Sequence, residues 1–184
     1  MTSRMIKIGL PGGSGRMGGM LIREIAREND LQLVATTDRP DSPHIGQDSG
    51  EVAGLASNDV LLGVDPASLF SDADVVIDFS APDASIHHAT LAAETGKAMV
   101  IGTTGLTPDQ EDTLRQAAKQ TAIVYCANTS VGVTLLTQLV EQVAAKLTTG
   151  WDIEILETHH HHKVDAPSGT ALALGKAAAR GRKV

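Results

Sequence analysis

The chain has 184 residues, 42% of them hydrophobic, a formal net charge of −7 and four aromatic residues, Phe70, Phe79, Tyr125 and Trp151. That charge gives no field to attract nucleic acid or an anionic membrane, so an anionic ligand has to be held by a local cluster of donors, and stacking of bases on aromatic platforms is not expected. The single cysteine, Cys126, excludes an internal disulfide; the start MTSRMIKIGL is too short in apolar residues for a signal peptide, no apolar run approaches the ~20 residues of a membrane span, and a reducing cytoplasm is expected.

Short apolar runs recur along the chain, each followed by a turn signal and then a segment of helical period, the pattern of consecutive βα units in a parallel sheet. Residues 5–10 read as the first strand. Met17, Met20, Leu21 and Ile25 then repeat at helical spacing until Asn29 and Asp30, and residues 31–36 form the second strand. Residues 39–58, rich in Asp, Ser, Gly and Pro, read as a long surface excursion with short ordered pieces at most. A weaker strand is expected over 60–64 and a buried one over 75–79, followed by Ser80 as a helix cap and Pro82 in the first turn of a helix that ends at Gly96. Residues 98–101 are the next strand, Thr107-Pro108-Asp109-Gln110 reads as a capping box, and residues 122–125 close the series. Beyond Asn128 the pattern changes. A long helix carries Val133, Leu136, Val140, Val143 and Leu147 on one face, and residues 151–157 alternate apolar and acidic side chains, as a half-exposed strand does. The expected division is a dinucleotide-binding domain over 1–130 and a second domain over 131–184.

Gly13-x-Gly15-x-x-Gly18 follows a strand and opens a helix, with Gly9 and Gly12 before it. Such a turn lets backbone approach a pyrophosphate and offers it the free N–H groups and positive dipole end of the helix. The motif alone would equally serve a tight strand-to-helix turn. Asp38, at the end of the second strand, supplies the carboxylate that accepts hydrogen bonds from a ribose, and with strand, turn, helix and acid in register we expect a Rossmann-like nicotinamide dinucleotide site. Arg39 can pair with a 2′-phosphate that Asp38 would repel, so both NADH and NADPH are expected as cofactors. Arg16 stands near enough to the turn to screen phosphates, or else as a solvated helix-start residue. Gly102-Thr103-Thr104-Gly105 and Cys126-Ala127-Asn128-Thr129 follow strands on the same sheet edge, as nicotinamide-lining turns or plain loops, and Phe79 could wall the cofactor.

The stretch from Glu157 to Thr170, Glu-Thr-His-His-His-His-Lys-Val-Asp-Ala-Pro-Ser-Gly-Thr, packs titratable groups into a loop before a helix over 171–180. The four histidines are internal, which argues against an affinity tag. A zinc site would need further ligands, with Cys126 and His44 the only outside helpers. The alternative is a proton donor, an imidazole titrating near neutrality, beside the cationic Lys163, with Ser168-Gly169-Thr170 at a helix N-terminus to receive a carboxylate. A polar surface loop with an ordinary Ser cap would look the same.

Gly12-Gly13-Ser14-Gly15-Arg16-Met17-Gly18, Val100-Ile101-Gly102-Thr103-Thr104-Gly105, Asn128-x-Ser130-x-Gly132 and Glu154-x-x-Glu157-x-His159-His160-x-x-Lys163-x-Asp165-x-Pro167-Ser168-Gly169-Thr170-Ala171 together resemble the 4-hydroxy-tetrahydrodipicolinate (dihydrodipicolinate) reductase family. The resemblance runs from Met5 to about Gly175. It implies an α/β protein, a Rossmann-like parallel-sheet domain followed by the start of a smaller α+β substrate and oligomerisation domain, and reduction of a cyclic unsaturated dicarboxylate by NAD(P)H in diaminopimelate and lysine biosynthesis. It also implies His159 as proton donor or acceptor, Lys163 as proton donor, and His160, Gly169 and Thr170 around the substrate carboxylates. Gly12 to Met17, Asp38, Arg39, Gly102 to Thr104 and Cys126 to Thr129 would line the cofactor; no metal is implied. Family members often carry Glu where Asp38 stands and continue well past Val184, so the chain is expected to be a fragment of a homotetrameric enzyme. A non-catalytic NAD(H) sensor and a different small-acid dehydrogenase are the rival readings.

Overall fold

The computed structural model describes residues 4–126, 128–147, 150–159, 161 and 166–184. The chain divides into two compact units, Met1–Tyr125 and Cys126–Val184.

Six parallel strands form the sheet of the first unit: β1 (Ile6–Pro11), β2 (Leu31–Thr37), β3 (Leu62–Gly63), β4 (Val75–Asp78), β5 (Ala98–Ile101) and β6 (Ile123–Tyr125). Their order is β3-β2-β1-β4-β5-β6. The chain winds outward from β1 through β2 and β3, then returns to the other side of β1. Loops at the carboxyl ends of β1 and β4 therefore diverge, and this is where an open α/β sheet forms a ligand crevice. Between the strands run α1 (Arg16–Ile25), α2 (Ser49–Val52), α3 (Ser68–Ser71), α4 (Pro82–Thr95) and α5 (Pro108–Ala117).

Two apolar clusters hold the unit together. Ile8, Leu10 and Leu33 of the sheet pack with Ile22 and Ile25 of α1 and with Ala53, while Val76, Met99 and Ile101 pack with Leu69, Phe70, Leu114 and the small Ala73, Ala89, Ala92 and Ala117. The alanines let α4 and α5 lie close to the strands, so the core needs few aromatic side chains. Thr107 and Gln110 form the expected reciprocal capping box at the start of α5, and Pro82 stands in the first turn of α4, which ends on Gly96 in the left-handed conformation with φ 67°. The excursion after β2 carries α2, capped by Asp48, whose carboxylate also accepts from Ser57 and Asn58. The weak strand expected over 60–64 shrinks to the two residues of β3, and α3 is too short for its period to show in the sequence.

The second unit contains α6 (Val131–Lys146) and α7 (Gly169–Arg182), which pack against each other. Gly181 permits this approach, since a Cβ there would overlap the carbonyl of Glu141 and lie 2.9 Å from Ala144 Cβ. Arg180 closes the contact with an ion pair to Glu141 at 2.9 Å. Two expectations are corrected here. Residues 151–157 form no strand, because among the described residues this unit offers no second strand to pair with, and alternation by itself makes no ladder. Of the five residues expected on one apolar face of α6, Val133 and Val140 are half-buried, whereas Leu136, Val143 and Leu147 are exposed. The narrow, alanine-rich α7 covers only the stripe centred on the buried Ala144.

Candidate functional site

The glycine turn is forced by its surroundings. Gly12 has φ 72°, and its N–H and that of Gly13 both donate to the Thr37 carbonyl, at 2.8 and 3.1 Å. A Cβ on Gly13 would overlap Thr36 Oγ1, and one on Gly18 would overlap the Gly12 carbonyl and lie 2.7 Å from that of Gly13. The first turn of α1 is correspondingly bare. Its N-cap is Gly15, with no side-chain cap and no acidic residue in the first turn of the helix, so the leading N–H groups and the positive end of the dipole are left for an external anion. Arg16 and Met17 are exposed beside it.

Asp38 stands at the end of β2 and is held across the turn. Its Oδ2 accepts from the Ser14 N–H at 3.2 Å and from the Ser14 hydroxyl, and its Oδ1 accepts from the Arg39 N–H at 2.8 Å. Arg39 is exposed and pairs with exposed Asp41 at 3.1 Å, a contact too solvated to fix it. These groups share one cleft of about 730 Å³, whose wall continues through His44 on one side and Phe79, Ser80, Ala81 and His88 on the other. Such a volume suits a cofactor-sized ligand.

On the β4 side, Ser80 does not cap α4 as expected. The N-cap is Ala81, without a side-chain bond, and the Ser80 hydroxyl turns back to Asp78 Oδ1 at 2.6 Å because a buried carboxylate is the stronger acceptor. Asp78 Oδ1 also accepts from the Ser80 N–H at 2.7 Å, and Oδ2 lies 2.7 Å from His88 Nδ1. Thr103 Oγ1 lies 3.4 Å from Asp78 Oδ1 and accepts from the Ser85 hydroxyl at 2.8 Å. Burial would push the Asp78 carboxyl up, but the His88 and Ser80 hydrogen bonds outweigh it and hold the group below its ordinary value. Sequence reasoning missed this cluster. The available signal was Ser85 and His88 standing at helical spacing on the face of α4 that also carries Ala89 and Ala92.

The turn after β5 lies against Phe79. A Cβ on Gly102 would overlap the Phe79 ring, and the Gly102 N–H donates to the Asp78 carbonyl at 2.8 Å. Thr103 is buried with its hydroxyl turned into the cluster, so only its backbone is available to a ligand, while Thr104 is half-buried.

In the second unit, Cys126 Sγ donates to the Asn128 carbonyl at 2.6 Å and Asn128 Oδ1 accepts from the Ser130 N–H at 3.1 Å; Thr129 lies in the same short segment, and Ala127 is outside the described residues. Ser168 is buried and caps α7, accepting from the Ala171 N–H at 3.0 Å. Glu157 accepts from the Ser168 N–H at 2.8 Å and from its hydroxyl, and His159 Nδ1 stands 3.5 Å from the Glu157 carboxylate. The chain thereby brings His159 together with the first turn of α7, where the N–H groups of Gly169 and Thr170 have no intrahelical acceptor. His160 and Lys163 lie outside the described residues. Among the described residues no three His, Cys, Asp or Glu side chains converge as a metal site requires, and no helix is long and apolar enough to cross a membrane.

Comparison with known proteins matches residues 6–129 to the family described as dihydrodipicolinate reductase, N-terminus, and residues 132–184 to dihydrodipicolinate reductase, C-terminus. The chain is 49% identical to 4-hydroxy-tetrahydrodipicolinate reductases of Ruegeria pomeroyi, over 95% of this chain and 65% of that protein, and of Rhizobium meliloti, over 94% and 71%. It thus spans about two thirds of the length of these relatives. Among solved structures it is similar to a dipicolinate-bound dihydrodipicolinate reductase from Paenisporosarcina sp. TG-14, with a TM-score of 0.75 and 29% identity, covering 97% of this chain and 67% of that one.

Proposed function

Because the chain belongs to the dihydrodipicolinate reductase family, we propose that it is the cofactor-binding and catalytic part of an NAD(P)H-dependent 4-hydroxy-tetrahydrodipicolinate reductase, forming tetrahydrodipicolinate for diaminopimelate and lysine biosynthesis. The observation that carries the reading within this chain is the bare start of α1 beside a clamped Asp38 in one cleft. The glycines leave room for a pyrophosphate, the N–H groups of α1 hold its charge, and Asp38 receives the ribose hydroxyls. Arg39, loosely tied to Asp41, is available to a 2′-phosphate, which supports use of both NADH and NADPH. The bound cofactor supplies the hydride.

The substrate's carboxylates would be taken by His160 and by the N–H groups of Gly169 and Thr170, where the dipole of α7 favours negative charge. His159 donates or accepts the proton that accompanies reduction, oriented by Glu157 at Nδ1 so that Nε2 remains for transfer. Lys163 is the second proton donor. Gly102 and Thr104 would line the nicotinamide end of the cofactor. The enzyme is expected to work in the cytoplasm as a homotetramer. Leu135, Leu139 and Val143, exposed on α6, support assembly, since uncovered apolar faces of this kind mark interaction surfaces.

The test is oxidation of NADH or NADPH on addition of freshly generated dihydrodipicolinate synthase product, using this chain and a form extended to family length. Turnover in the extended form is expected, with His159→Gln lowering kcat by about 10²-fold or more while leaving cofactor affinity unchanged. Cofactor binding without turnover in the extended form would overturn the reductase reading in favour of a sensor.

A further inference from the structure

The buried cluster around Asp78 has no place in the function so far assigned, yet it borders the cleft, whose wall includes Ser80 and His88. Asp78 is fully enclosed, and Ser85, His88 and Thr103 are each at most 6% exposed. Burying such groups is a poor way to stabilise a fold, because desolvation cancels most of what the contacts return, and apolar residues of similar volume do as well or better. Alanine already fills the neighbouring positions 89 and 92 on the same helix face. What the cluster does achieve is connection. Through its side chain Asp78 ties down Ser80, His88 and Thr103, and through its carbonyl it holds the N–H of Gly102. Ser80, which lines the cleft beside Phe79, and the turn from Gly102 to Thr103 are therefore fixed to one residue, Asp78.

Their location gives the connection a purpose. The glycine turn and Asp38 lie at the ends of β1 and β2, so a dinucleotide with its adenosine half there extends its other half over β4 and β5. We infer that Asp78 and His88 are a positioning pair for the nicotinamide half of the cofactor, holding the turns at 79–81 and 102–104 in the geometry that receives it. The inference rests on the dinucleotide reading of the cleft. His88 donates from Nδ1 to the ionised Asp78, and that bond keeps the carboxylate oriented so that Oδ1 meets Ser80 and Thr103.

The test measures NADH and ADP binding to the 184-residue chain by calorimetry, together with thermal melting. ADP reaches the glycine turn and Asp38 only, whereas NADH also needs the β4 and β5 turns. Asp78→Asn and His88→Ala are expected to weaken NADH binding about tenfold and to leave ADP binding within about twofold. His88→Asn, which keeps an N–H donor near the Nδ1 position, should recover most of the NADH affinity. Should His88→Ala fail to fold, Ser85→Ala removes only the bond to Thr103 and should weaken NADH about threefold with ADP unchanged. Unchanged NADH affinity in these variants, or parallel loss of NADH, ADP and melting temperature, would overturn the positioning role. Failure of the unmodified chain to bind either ligand is a different pattern, and it would remove the dinucleotide reading together with this one.

Discussion

Gly18 illustrates how one hydrogen atom in place of a methyl group sets the path of a site. Its Cα faces the Gly12 and Gly13 carbonyls, so a methyl group there must push α1 away from the turn. Gly18→Ala is therefore expected to destabilise the chain by about 2 kcal/mol or more through overpacking against rigid backbone, and to weaken NADH binding as well. Thermal melting and calorimetry on the same sample would check both, and a stable variant with intact binding would show that the turn can open. The motif spacing made this glycine legible in the sequence. The place of Asp38 beside the glycine turn was legible in part, because its distance along the chain identified the residue but not the clamp by Ser14 that orients it. Ser80 was misread, since a serine just before a proline-initiated helix looks like a cap until a buried acceptor competes for its hydroxyl.

At the scale of elements, helix ends were read most reliably where side chain and backbone satisfy each other locally. The Thr107–Gln110 box at α5 is such a case, and Thr107→Ala is expected to cost about 1 kcal/mol. Chemical denaturation should show a lower midpoint with an unchanged slope; no shift would mean that solvent replaces the cap. Elements that depend on distant partners were read less well. The alternation over 151–157 suggested a strand, but a strand exists only through its neighbours, and none stands beside it among the described residues. The long α6 was legible from its period, while which of its apolar residues is covered depended on the width of α7.

At the scale of the molecule, acid stability should carry the mark of the Asp78 cluster. The folded state holds this carboxyl below its ordinary value of 3.8, so its contribution is fully present above that value and is lost as pH falls through the lower, folded one. Melting temperature is expected to fall steeply in that acidic range, and less steeply in Asp78→Asn; equal slopes would show that other carboxylates, Asp48 and Asp74 among them, govern the loss.

The sequence by itself determined the βα alternation, the glycine turn, the acid at the end of the second strand and the histidine-lysine motif, because each is written in short-range spacing and residue chemistry. The tertiary structure decided the strand order that opens the crevice at β1 and β4 and the exposed face of α6. It also brought Asp78, Ser85, His88 and Thr103 together from three elements. Such contacts join residues far apart in the chain, and nothing local fixes which buried groups will meet.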